Sequence, residues 1–140
     1  MKLIMLFFIV ATAIQAQTIK VEDAWVRSSQ EGFGTALFFT VVNEGLQPDT
    51  LYAVTSGISN EIEIHESYSK GDDMMGMRPV DYVVIEPGTK FQFKPRSFHV
   101  MILELKEDLN VADSADFILM FKQAGKVPLK AVVKQMGMMK

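Results

Sequence analysis

The chain has 140 residues, enough for one domain, with 49% hydrophobic residues and a formal charge of −3. That mildly acidic balance supplies no basic surface for nucleic acid or anionic lipid. Cysteine is absent, which excludes a thiol nucleophile, a Cys-dependent blue-copper centre, cysteine-rich zinc sites and a lipid-modified N-terminal cysteine.

The first residues have the layout of a secretory signal peptide: an early charge at Lys2, an apolar run from Leu3 to Val10, then small residues at Ala11, Ala13 and Ala16. The run is too short to span a bilayer comfortably. A buried strand or an anchor is the alternative. Cleavage is expected after Ala16, with Ala13 as second choice, and it removes Lys2 and no acid, so the charge moves from −3 to −4. The expected organisation is a signal peptide over 1–16, a β domain over 17–134 and a flexible Met-rich tail over 135–140. The protein is therefore expected to be secreted or periplasmic, without stable membrane insertion, and monomeric.

Along the mature chain, short apolar or alternating runs are separated by turn residues, and no long helical periodicity occurs. Ile19–Val26 predicts a first strand carrying the only tryptophan, Trp25. After the polar loop Ser28–Gly34, Thr35–Asn43 is rich in β-branched and aromatic residues and predicts a buried strand. Asn43-Glu44-Gly45 opens a turn that runs through Pro48-Asp49. Further strands are predicted at Leu51–Thr55, Glu61–Ser67, Tyr82–Ile85 and Lys90–Lys94, the last two joined by the turn Glu86-Pro87-Gly88-Thr89. His99–Leu105, Asp116–Lys122 and Pro128–Lys134 complete the set, with Ala124-Gly125-Lys126 as a hairpin turn and Lys106–Ser114 as a loop or one helical turn. Strands at this spacing predict an all-β sandwich or barrel.

Chemistry concentrates in His65-x11-Met77-x21-His99-x-Met101, which contains both histidines of the chain. In Glu61-Ile62-Glu63-Ile64-His65 the period-two alternation puts His65 on the polar face with Glu61 and Glu63. Taken alone, it reads equally as a solvated surface histidine. His99 and Met101 share a strand face just after the turn Pro95-Arg96-Ser97-Phe98, which predicts an exposed rim position. The competing reading packs Met101 into the core with Leu103. Met74, Met75 and Met77 lie in a polar, Gly-containing segment that predicts a loop, with Met75 and Met77 on one side and Met74 on the other. Spacing favours Met77, and Met75 is its rival. Imidazole and neutral thioether sulfur together suit Cu(I), which is soft and has a filled d shell. Zinc would need Asp72, Asp73 or Glu66 to complete its donors. No nucleophile elbow, P-loop or dinucleotide fingerprint occurs, so carriage is expected rather than catalysis.

At these residues the chain resembles the periplasmic copper chaperones called PCu(A)C. Met77-x21-His99-x-Met101 matches that family's motif fully, while His65-x11-Met77 is one residue longer than its usual spacing. Asp23-Ala24-Trp25-Val26-Arg27, Phe38–Gly45, Met77-Arg78-Pro79-Val80 and Glu86-Pro87-Gly88 extend the resemblance over most of the mature chain. The resemblance implies a cupredoxin-like Greek-key β-sandwich and Cu(I) held by His65, Met77, His99 and Met101. It further implies delivery toward the copper A centre of cytochrome oxidase subunit II, with thioredoxin-like oxidase-assembly proteins as partners. The alternatives are copper sequestration without a dedicated acceptor, the methionines Met136 to Met139 adding a weak second site, and a metal-free β-sandwich adhesion or assembly module.

Overall fold

The computed structural model describes residues 18–137 and shows only strands and loops there. The expected signal peptide and the last residues of the Met-rich tail, 138–140, lie outside the described residues. In chain order the strands are β1 (Ile19–Arg27), β2 (Thr35–Asn43), β3 (Asp49–Ser56), β4 (Glu61–Gly71), β5 (Met74–Pro79), β6 (Val83–Ile85), β7 (Lys90–Phe93), β8 (Phe98–Leu103), β9 (Ser114–Phe121) and β10 (Gly125–Lys134).

Neighbouring strands follow the order β5-β4-β8-β2-β1-β10-β9-β3-β6, and β7 adds to β2. Every pairing is antiparallel except that of β1 with β10. β2 changes partner along its length: Thr35–Leu37 pair with β8 and Phe39–Val42 with β7. It is covered on both faces, which explains its nearly continuous apolar run. The inner faces enclose one core that includes Val26, Leu37, Phe39, Phe93, Val100 and Phe117. Phe39 and Phe93 stack there with ring centroids 4.5 Å apart. A smaller buried cluster of Trp25, Ala36 and Phe38 lies on the opposite face of β1 and β2, because side chains alternate between faces.

Met74–Pro79 forms a strand, contrary to the loop expected from its polar, glycine-containing composition. It is the second arm of a hairpin whose two turn residues, Asp72 and Asp73, have φ of 48° and 59°. Two left-handed residues give a turn whose twist matches the strands, and aspartate tolerates that conformation. Gly76 lies under the Lys70 and Tyr68 side chains: a Cβ there would fall 2.5 Å from Lys70 Cε and 2.7 Å from Tyr68 Cζ and would push both aside. Lys106–Ser114 contains no helical turn; Leu109 is buried and bridges to Ser29. Several strand ends shift by a few residues, and the β9–β10 turn falls at 122–124, slightly before the expected position.

Asp49 holds the far end of the sandwich together. Its buried carboxylate accepts hydrogen bonds from the backbone amides of Thr50 (2.7 Å), Gln123 (2.8 Å) and Ala124 (2.9 Å), tying β3 to the β9–β10 turn. Asp49→Ala strands these donors, so chemical denaturation is expected to show a loss of at least about 2 kcal/mol.

Candidate metal centre

The site is built by strand register. β4 and β8 pair from Glu61 opposite Leu103 to Glu66 opposite Phe98, which sets His65 directly across from His99. The two imidazoles lie with ring centroids 5.8 Å apart and planes at 53°. The same register places Glu63 opposite Met101. On the other side of β4, Ser67 faces Met77 and Ser69 faces Met75. Alternation therefore gives His65, His99, Met77 and Met101 one shared outer face. Met77 and Met101 are each one diagonal step from His65, about 7–8 Å between backbone positions and within reach of a long side chain.

Met75 shares that face two residues farther along β5, roughly 6.8 Å from Met77, so the register favours Met77. Met74, beside it in the strand, faces the other way by alternation, as the sequence predicts. The carboxylates that a zinc site would need point elsewhere. Glu66 pairs with Arg78 on the opposite face of the hairpin, at 3.1 Å, and Asp72 and Asp73 form the turn. Among the described residues, no three His, Cys, Asp or Glu side chains form a metal-binding cluster.

Burial divides the donors. His99 is 4% exposed, not on an exposed rim as its strand-end position suggested. Its strand carries core residues Val100 and Ile102 on the inner face, while the Phe38 ring stands 6.4 Å away on the outer face, beside the Trp25 ring. Met101 is half-buried on that outer face and does not join the core. Its methyl end lies beside Gly34, where an added Cβ would come within 3.4 Å of Met101 Cε. Met77, by contrast, is 56% exposed.

Hydrogen bonding defines the free nitrogen on each ring. His99 Nδ1 lies 3.0 Å from the Ser97 carbonyl, which can only accept, so Nδ1 carries the proton and Nε2 the lone pair. Burial lowers the His99 pKa from 6.5; the Ser97 hydrogen bond opposes this, and the nearby His65 and Arg27 reinforce it. The neutral ring is the form that binds metal. His65 Nε2 is 2.7 Å from a Glu63 carboxylate oxygen, and its Nδ1 is buried without a partner. An orphaned imidazole nitrogen, on a strand face shared with the His99 imidazole and two thioether side chains, fits a soft cation. Glu63 has no part in the sequence motif; the alternation Glu61-x-Glu63-x-His65 was the only signal that could have found it.

The chain matches the LpqE-like family over residues 19–133. It belongs to that family. This LpqE-like protein is 26% identical over 120 residues to a protein of Leifsonia xyli subsp. xyli named as a lipoprotein, covering 86% of this chain and 72% of the relative. Its fold is similar to the copper-bound PCuAC domain from PmoF2, with TM-score 0.72, 26% identity and coverage of 85% of this chain and 94% of that domain. It also matches the solution structure of CuI-DR1885 from Deinococcus radiodurans, with TM-score 0.64, 22% identity and coverage of 89% and 85%. The LpqE-like protein thus has the all-β, cupredoxin-like Greek-key sandwich expected of it.

The lowered His99 pKa sets the sign of a pH effect on the metal-free protein. The unfolded chain binds a proton near pH 6.5 and the folded chain only at lower pH. Stability from this group is therefore complete above pH 6.5 and lost as pH falls through the folded value. Thermal unfolding midpoints of the LpqE-like protein should fall across that window, and His99→Gln should flatten the dependence.

Proposed function

We propose that this LpqE-like protein is a periplasmic Cu(I) metallochaperone that takes up and surrenders copper by ligand exchange. The observation that carries the reading is the direct pairing of His65 with His99, with Met77 and Met101 one step to either side on the same face. Two structural relatives with the same fold are described as copper-bound or CuI-bound. The donors are neutral imidazole and thioether, which match a soft monovalent ion and need no deprotonation by the metal. Copper is the cargo here, and the chain performs no turnover on it.

The exposure of Met77 gives ligand exchange a starting point. An incoming soft donor can displace the outermost thioether while both imidazoles retain the ion. Thioredoxin-like oxidase-assembly proteins and the copper A centre of cytochrome oxidase subunit II are the proposed acceptors. Export to the periplasm is supported by the N-terminal signal pattern and the lipoprotein name of the Leifsonia relative.

A competition titration against a Cu(I) chelator tests the ligand set. Wild type should bind one copper, and Met77→Leu and Met101→Leu should each weaken affinity by at least about tenfold, or ~1.4 kcal/mol. Met77→Leu is the cleaner variant, because the side chain is exposed and its loss cannot disturb the core. Met74→Leu should bind like wild type. A drop for Met75→Leu with none for Met77→Leu would transfer the role to Met75. Rapid, stoichiometric transfer to an assembly protein distinguishes delivery from sequestration.

A further inference from the structure

We infer that Glu63 is a positioning residue that fixes the tautomer of His65, so that His65 offers metal its Nδ1 while His99 offers Nε2. This rests on the proposed copper reading for its purpose, though the tautomer itself is a property of the metal-free chain. Glu63 and His65 are two residues apart on β4 and project from the same face. The contact between Glu63 Oε2 and His65 Nε2 is 2.7 Å, a short charge-assisted hydrogen bond. An ionised carboxylate can only accept, so the proton of the neutral ring stays on Nε2 and the lone pair is confined to Nδ1.

The surroundings of Nδ1 reinforce this. Nδ1 is buried and has no hydrogen-bond partner. The opposite tautomer would bury an N–H donor with nothing to accept it and leave the carboxylate facing a second acceptor. His99 is fixed in the complementary sense by a different device, the backbone carbonyl of Ser97. One ring is therefore held by a side chain and the other by the main chain. Each keeps a single nitrogen for metal, and the two nitrogens differ. A carboxylate hydrogen-bonded to a ligating imidazole also raises its basicity and orients the ring.

Glu63 is half exposed, with a side-chain exposure of 47%, and packs no core, so its replacement leaves the fold unchanged. The test reads imidazole nitrogens directly, by long-range 1H–15N correlation on uniformly labelled protein at about pH 8, where free histidine is neutral. Cu(I) is diamagnetic, so loaded protein gives the same readout. Metal-free wild type should show His65 protonated at Nε2 and His99 at Nδ1. Glu63→Ala should give a mixture of His65 tautomers and weaken Cu(I) by about tenfold or more. Glu63→Gln retains an accepting carbonyl oxygen but not the charge, so it should shift His65 back toward the Nε2–H tautomer and recover only part of the affinity. On loading, the large 15N shift should fall on Nδ1 of His65 and Nε2 of His99.

Finding His65 protonated at Nδ1 in metal-free wild type would overturn the inference, as would a tautomer and affinity unchanged in Glu63→Ala. Wild type that shows the expected tautomers yet fails to bind Cu(I) would instead refute the copper reading and leave the role of Glu63 in holding His65 intact.

Discussion

The register between β4 and β8 is the constraint on which the site depends. Ile64 pairs with Val100 and Ile62 with Ile102, and their side chains fill the inner face. A slip of one residue would turn the two aliphatic groups of the slipped strand toward solvent and its polar set toward the core. Core formation therefore excludes the one-residue slips, and in the observed register the intervening residues are fixed as well. His65 must face His99, and Glu63 must face Met101. The proposed metal-binding surface is in this sense the reverse side of a hydrophobic decision.

The resulting face has a closed flank and an open one. Toward β2 and β1, Phe38 and Trp25 lie together with ring centroids 4.5 Å apart, and both are buried. Toward the sheet edge, β5 pairs only with β4 and exposes Met74, Met75 and Met77. The imidazoles and Met101 thus occupy the sheltered positions and Met77 the approachable one. That gradient suits the proposed carrier, since the exposed Met77 is the donor an incoming protein can approach from the sheet edge. The hairpin's other face carries Tyr68, Arg78 and Glu66, with the Arg78 guanidinium 4.8 Å from the Tyr68 ring centre. These polar contacts stiffen an arm that has little core of its own.

Most of the architecture was legible because it rests on local signals. Alternation in Glu61–His65 gave the face of His65, and the apolar density of Thr35–Asn43 gave a strand buried on both sides. The β5 strand was not legible, since Met-Met-Gly-Met mixes flexible and small residues and carries no β-branched side chain. Its pairing comes from the tight Asp72-Asp73 turn, whose left-handed geometry composition does not advertise. The burial of His99 was equally hidden. Strand position shows which face a residue takes, but not whether a phenyl ring from β2 and an imidazole from β4 close over it. Glu63 escaped notice for a related reason: a carboxylate on a polar face is ordinary until its partner is known.

Electrostatics explains why this arrangement suits an ion of low charge. The donors are neutral, so whatever charge the ion brings remains in a partly desolvated place, where an uncompensated charge is costly. One carboxylate, Glu63, is close enough to balance it, and one guanidinium, Arg27, acts on His99 in the opposite direction. A divalent ion would leave at least half of its charge unbalanced there. A monovalent ion needs only partial compensation, and Glu63 reaches it through the His65 ring it orients. The same carboxylate then selects the nitrogen that His65 presents and offsets part of the ion's charge, while discrimination against harder ions is left to the thioethers.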